Sequence, residues 1–508
     1  MRNFFKTVAI VTVFSICEKA LGFLYRIFLS HTIGAEGIGL YQVALSVFGT
    51  ILTLTTAGTP VTVSRLMTKY NAENHPDRAK RVITAGLSIT LIIILPVTLF
   101  LFIFADHLGF LFADARCIPL FRTLLPGLVF TSIYSVLRGV FWGSKDFLPY
   151  SIIELLEEAC MILVGIALIT FSTDVFTGAF GASVAVLISY VFSFTLATIT
   201  FFVRKNRFAN PKSEFKPLLR SAIPITAMRS ASSLAVSLVS VILPARLIAH
   251  GLTESQAMSS FGAIMGQAIP ILFIPTTLIG SFTLVLVPEI SENYYKKRFY
   301  YLKRDVEKAI KFSCFLTCIF VPVFTICGSE IGLLIFNGHE CGRYLSTSAY
   351  LMLFMSLSSV TTSMLNSMGM ENRTLLYFIL SSALMLICIW FLPSLIGVYA
   401  LLVGFTLVYG VTTLLNLKLL NERCAEKPKY LKFIISSALI CLPTCILGAL
   451  TEKLLLPLLG TLLTFFICAA LMIIFHLLLY FGFNLVSIEL IKTKGKKIFT
   501  RTKKIKNA

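Results

Sequence analysis

Apolar residues run in blocks of about 20 along the whole chain, with short polar stretches between them. At 1.5 Å per residue such a block crosses a hydrocarbon layer roughly 30 Å thick, so each predicts a transmembrane helix. Fourteen are legible. Twelve lie near 5–30, 38–63, 83–105, 118–142, 149–171, 178–203, 219–248, 258–288, 307–327, 345–368, 374–394 and 396–419. Two more follow at 432–450 and 456–484. Several exceed 25 residues, which predicts tilting or extension beyond the membrane. The opening MRNFFK before an apolar run imitates a signal peptide. That run continues past residue 20 without a small-residue cleavage site, so it predicts an uncleaved first helix.

The pattern repeats. The second block ends at Gly58 and runs into residues 64–81, SRLMTKYNAENHPDRAKR, before a new apolar block begins. The eighth ends at Gly280 and runs into residues 288–305, PEISENYYKKRFYYLKRD, with the same sequel. In both, a helix leaves the membrane through a basic amphipathic segment, roughly 222–226 residues apart. The expected architecture is all-α, with a six-helix lobe at 1–203, a basic cytoplasmic loop at 204–218 and a second six-helix lobe at 219–419. Two further helices at 420–484 and a basic tail at 485–508 complete it. Lobes of like orientation imply an axis along the membrane normal, substrate between the lobes and alternating access by rocking.

Composition sharpens this picture. The chain of 508 residues is 57% hydrophobic and only 13% charged, whereas soluble domains carry roughly 25% charged residues. No polar block exceeds about 25 residues, which excludes a separate soluble catalytic domain. The net charge of +20 raises a nucleic-acid partner, but its placement argues for topology instead. Arg116, Arg122, Arg246, Arg343 and Lys453 lie by the predicted external loops, and Lys19, Arg26 and Arg229 lie within spans. The remaining Lys and Arg fall at the N-terminus, the other loops and the tail, so both termini are expected in the cytoplasm. The runs RKNR at 204–207, KKR at 296–298 and KTKGKK at 492–497 then read as orientation signals that attract anionic lipid. Twelve scattered cysteines show no metal-ligand spacing with His, and the i,i+4 pairs Cys314/Cys318 and Cys441/Cys445 read as packing residues. Cys327 and Cys341 fall in a predicted external loop, where a disulfide is conceivable.

Charge inside the membrane costs roughly 2.5–3.5 kcal/mol per residue near the centre, so charged residues there face a cavity or a partner. Lys19 and Arg26 are two helical turns apart and share a face of the first span. Arg229 lies deep in the seventh, the equivalent helix of the other lobe. Together they can line a cleft for an anionic, phosphate-bearing substrate, with Gln267 as a polar contact. The alternative is that they pair with carboxylates to hold helices together. Glu154, Glu157 and Glu158 share one face of the fifth span and need cations, water or protonation. They either carry a coupling proton or sodium ion or neutralise Arg138 on the neighbouring helix. Glu18, near mid-membrane, is the other candidate for ion coupling. No catalytic constellation, phosphate-binding glycine loop or metal cluster is legible, and no cofactor is expected.

Residues 20–42, ALGFLYRIFLSHTIGAEGIGLYQ, resemble the opening of the stage V sporulation protein B group of polysaccharide transporters. That group belongs to the multidrug/oligosaccharidyl-lipid/polysaccharide exporter superfamily. Similar segments follow in order at 58–70, 137–158, 245–251 and 262–291, so the resemblance covers most of 5–420. It implies a fold like that of the multidrug (MATE) exporters, two six-helix lobes around a V-shaped cavity plus two terminal helices. It also implies flipping of undecaprenyl-pyrophosphate-linked sugar precursors, and cell-wall synthases as partners. Lys19 stands where related lipid II flippases carry an arginine, and Met161 where the group usually has one after the glutamate matched by Glu157. The functional expectation is a flippase for a lipid-linked cell-wall or polysaccharide precursor. The competing readings are a cation-coupled multidrug exporter, a membrane glycosyltransferase or polymerase, and a non-transporting scaffold in cell-wall or spore assembly.

Overall fold

A computed structural model of the chain describes residues 2–56, 58–204, 207–424 and 430–483. Two residues of the basic run at 204–207 and the whole KTKGKK tail lie outside the described residues. Among the described residues all regular structure is helical. Nine helices among the described residues are long and apolar enough to cross a membrane, or up to eleven if each of two bent pairs forms one span. The expected fourteen are therefore not reproduced one for one, and the reasons are local. The first two blocks merge into α1 (Arg2–Thr56), whose 55 residues break once at Gly34, at φ 65°. The last two merge into another long helix, Leu431–Gly482, which breaks at Gly460, at φ 70°. At 1.5 Å per residue either would be roughly 80 Å long unbroken, so the left-handed glycine is where each turns back.

The chain packs as two compact units. Unit 1 comprises residues 1–270 and 382–404. It contains α1, α2 (Thr59–Ala72), α3 (Pro76–Ile103), α4 (Cys117–Leu124), α5 (Gly127–Gly143), α6 (Phe147–Thr170), α7 (Val175–Val203), α8 (Phe215–Ala249) and α9 (Glu254–Phe261). A π-helical turn, Gly262–Ala268, follows α9. Its core includes Val63, Ile83, Val136, Phe141 and Phe201, all 2% exposed or less. Small residues bring the helix backbones together, as apolar lipid-immersed bundles require. A Cβ on Gly262 would sit 1.9 Å from the Ala35 carbonyl oxygen, and one on Gly139 2.5 Å from that of Pro60. The segment before α8 is tied down by Glu214, which is fully buried. It accepts hydrogen bonds from Tyr70 Oη at 2.8 Å and Arg78 Nε at 2.9 Å.

Unit 2 comprises residues 271–381 and those from 405 on. Its main helices are α10 (Ile274–Tyr295), α11 (Phe299–Phe336), α12 (His339–Ser348), α13 (Leu351–Ser367), the first part of α14 (Glu371–Phe391), most of α15 (Ala400–Arg423), and α16 (Leu431–Gly482). Cys327 and Cys341 correct the loop expectation. Cys327 lies inside α11, which continues to Phe336, and Cys341 lies in α12; both are buried free thiols.

The repeat read from the sequence recurs in the local geometry. Asn74 ends α2 at φ 58° and Lys297 ends α10 at φ 54°, 223 positions apart. Each turn closes with the same six-to-one hydrogen bond, His75 N to Tyr70 O and Arg298 N to Asn293 O, both 2.8 Å. Lys145, at φ 58°, and Gly369, at φ 78°, end α5 and α13 in the same way, 224 positions apart. The preceding kinks correspond too: α4 bends onto α5 by 42° and α12 onto α13 by 61°.

Candidate functional site

Unit 1 contains two charged cavities lined by α1, α2, α5, α6, α7 and α8. The first, about 260 Å³, is lined by Tyr25, Arg26, Tyr41, Gln42, Glu157 and Glu158 among others. The second, about 590 Å³, is lined by Arg138, Glu154, Glu157, Tyr190 and Arg229 with several hydroxyls. Glu157 and Tyr190 line both, so the cavities adjoin.

Helix period explains why these side chains converge. On α6 the glutamates at i, i+3 and i+4 share the face turned to α1 and α5. Gly22 allows that face to approach, since a Cβ there would lie 2.7 Å from Glu158 Oε1. Gly165 does the same from α6, where a Cβ would meet the Tyr25 hydroxyl. On α5, Thr131, Tyr134, Ser135 and Arg138 form a polar stripe at i, i+3, i+4 and i+7 in an otherwise apolar helix. Arg138 Nη1 donates to Glu154 Oε1 at 3.1 Å, and its guanidinium lies 5.2 Å from the centre of the Trp142 ring. This pairing was one of the two alternatives for the glutamate face. Glu157 is different: its Oε2 is buried and finds no partner among the described residues.

Arg26 is half-buried and donates from Nη1 to the Gly266 carbonyl at 3.1 Å. Gly266 belongs to the π-helical turn, a deformation frequent at functional sites. Arg229 is exposed to its cavity, and among the described residues no carboxylate lies within ion-pair distance of it. Three guanidiniums on three helices thus face three carboxylates on a fourth. The cavities are charge-balanced, where the sequence reading expects a cationic cleft.

Three of the expected site residues lie elsewhere. Lys19 is exposed and lines neither cavity, and neither does Glu18. Gln267 is 2% exposed and donates from Nε2 to Ser30 Oγ at 2.8 Å, tying the π-helical turn to α1. Arg138, read only as a counter-ion, pairs with Glu154 and is also part of a cavity wall. No group of three or more His, Cys, Asp or Glu residues that could hold a metal ion occurs among the described residues.

An all-helical, multi-pass build with charged cavities among its helices is shared with known membrane transporters. The fold agrees: a lipid II flippase MurJ in its inward closed conformation superposes with a TM-score of 0.71 at 14% identity, covering 94% of this chain and 99% of that one. A multidrug resistance MATE transporter in its inward-facing conformation gives 0.68 at 17% identity, over 80% and 94%. The chain belongs to the polysaccharide biosynthesis protein family, whose model matches residues 4–294. Stage V sporulation protein B of Bacillus subtilis (strain 168) is 26% identical over 364 residues, 68% of this chain and 70% of that protein. Lipid II flippase MurJ of the same organism is 21% identical over 337 residues, 60% and 61% of the two chains. The family description names polysaccharide biosynthesis, and of these relatives MurJ is a lipid II flippase.

Proposed function

We propose that the protein flips an undecaprenyl-pyrophosphate-linked cell-wall or polysaccharide precursor across the cytoplasmic membrane by alternating access. The observation that carries this reading is the convergence of Arg26, Arg138 and Arg229 from α1, α5 and α8 on adjoining cavities in unit 1. Guanidinium forks suit phosphate oxygens, and a pyrophosphate can displace a carboxylate from a partly hydrated arginine. Arg229 and Arg26 are the headgroup ligands in this scheme, and Arg138 joins them when its bond to Glu154 opens. Lys19 serves the mouth of the path and Gln267 positions α1 through Ser30. Glu157, which lines both cavities and has a buried, unpartnered carboxylate oxygen, takes the coupling proton or cation. Glu18 and Glu158 balance charge beside it. Both termini face the cytoplasm, the lobes are 1–203 and 219–419, and anionic lipids and cell-wall synthases are the accompanying partners.

The test uses cells depleted of their own lipid II flippases and expressing this chain. Lipid II accessible to a cleaving reagent outside the cell is measured. Restored accessibility is expected, with Arg26→Ala and Arg229→Ala each abolishing it at unchanged membrane abundance. If wild-type protein restores nothing, lipid II is not the cargo. If both variants stay active, the headgroup role of the arginines is wrong.

A further inference from the structure

Unit 2 contains a cavity of its own, about 410 Å³, on α10, α13 and α15. The helix repeat identifies what it is. At the 224-residue offset set by Lys145 and Gly369, the wall residues Tyr134, Ser135 and Arg138 of α5 correspond to Ser358, Ser359 and Thr362 of α13. All three of these line the unit 2 cavity, so it is the counterpart of the larger charged one. Its chemistry has changed completely. Arg138 is replaced by Thr362, and Glu154, Glu157 and Glu158 by Phe378, Ser381 and Ser382. No charged residue lines it among the described residues, whereas Ser363 adds a fourth hydroxyl on α13, and Thr276, Thr277 and Tyr409 add three more from α10 and α15.

Some of these hydroxyls are spent and some are not. Thr276, Thr277 and Ser363 bond carbonyls of their own helices, the usual arrangement in a lipid-immersed helix. Ser358 is only 8% exposed, yet its hydroxyl finds no partner among the described residues. The hydroxyls of Ser359 and Tyr409 likewise bond to no protein group among them. Thr362 Oγ1 accepts from Asn416 Nδ2 at 2.9 Å, and Asn416 is fully buried. That bond uses a lone pair of Thr362 and leaves its proton free to donate into the cavity. Unspent donors in a low-dielectric interior are costly unless water or a polar ligand satisfies them.

We infer that the unit 2 cavity is a saccharide subsite, taking an uncharged, polyhydroxylated part of the transported molecule. This rests on the proposed flippase reading and deepens it. The duplicated cavity has divided its work: the copy in unit 1 keeps ionic groups for phosphate, and the copy in unit 2 keeps only neutral donors and acceptors. A neutral sugar offers matching hydroxyls without a charge to desolvate, and Tyr409 supplies an aromatic ring beside it.

The full chain, purified in detergent, tests this by ligand-observed saturation-transfer NMR. The probes are chitobiose and maltose, with inorganic pyrophosphate measured in parallel by calorimetry. Wild type is expected to bind at least one disaccharide. The Ser359→Ala/Thr362→Val double variant should weaken that binding about tenfold, the scale of two lost hydrogen bonds. Its pyrophosphate binding and its thermal transition should stay unchanged. Thr362→Ser, which keeps the hydroxyl and removes the methyl, should bind as wild type does and separates loss of the hydroxyl from a change in packing. Absence of disaccharide binding in wild type overturns the subsite, and so does binding that survives the double substitution. A Thr362→Ser protein that melts like wild type but binds no sugar overturns it too. Loss of pyrophosphate binding in Arg229→Ala belongs to the headgroup reading alone, so the two ideas fail separately.

Discussion

Arg138 and Glu154 face each other across α5 and α6 at 3.1 Å, each about a quarter exposed. A half-hydrated pair of this kind contributes modestly, but removing one member leaves the other uncompensated beside lipid-immersed helices. Arg138→Met should lower the stability of the purified protein by about 1–3 kcal/mol, discounted for partial hydration. Arg138→Met/Glu154→Met should recover most of that loss. Thermal unfolding in detergent distinguishes them, and equal losses in the single and double variants would sink the pairing argument. The sequence makes the glutamate face and Arg26 legible because a charge in an apolar block has few places to go. It misleads at Lys19, which shares a face with Arg26 but sits two turns, roughly 10 Å, nearer the helix start. Spacing reports face and not depth. Arg138 is missed as a cavity residue because it stands near the expected end of its span. The signal was present in the stripe Thr131, Tyr134, Ser135, Arg138.

The elements carry their repeat most clearly in the turns. Lys145 and Gly369 occupy matching left-handed positions, and only the glycine avoids the steric cost of a side chain there. Lys145→Gly should therefore raise stability by about 0.5–1 kcal/mol, while Gly369→Lys should lower it by about 1 kcal/mol or more. The second change also crowds the Tyr295 hydroxyl, 3.0 Å from the Cβ position. Chemical unfolding of the two variants in one detergent reads both signs, and a destabilised Lys145→Gly would contradict the assignment. Helix existence was readable throughout, because apolar blocks of this length admit little else. Helix ends were not. α11 begins at Phe299, where a span starting at 307 was expected, since its basic first turns are as helical as its apolar ones. Gly34 and Gly460 turn α1 and α16 without the polar loops that usually mark a boundary.

At the scale of the molecule, the lipid-facing surface is as informative as the cavities. α16 exposes Leu439, Leu442, Ile446, Leu450, Leu454 and Phe466, a surface suited to acyl chains and unsuited to water. The proposed orientation, with both termini in the cytoplasm, rests on the basic asymmetry of the loops. A phosphatase or fluorescent reporter joined to the C-terminus should report the cytoplasm, and one inserted at the Gly251 turn the outside. The opposite result for either reporter would overturn the orientation. The division into two packing units was not legible. It assigns α8 and α9 to the unit containing α1, although the repeat places them after the basic segment. Sequence symmetry records ancestry, whereas packing depends on which small residues meet, such as Gly262 against Ala35.

The glutamate face of α6 has a consequence for how the protein is made. With three carboxylates in its inner half, α6 is absent from the helices that satisfy length and apolarity for crossing. A charge near a helix centre disfavours partition from the translocon by about 2.5–3.5 kcal/mol, so α6 emerging alone would tend to slip through. α5 leaves the ribosome first and carries Arg138, the partner of Glu154, so the two helices are expected to integrate together. In a glycosylation-mapping assay α6 alone should be translocated, and the α5–α6 hairpin retained. Arg138→Glu in that hairpin should send α6 across again. The cavity's chemistry would then be written into the order of biogenesis, and a mutation there would surface as a topology defect before any transport step is reached.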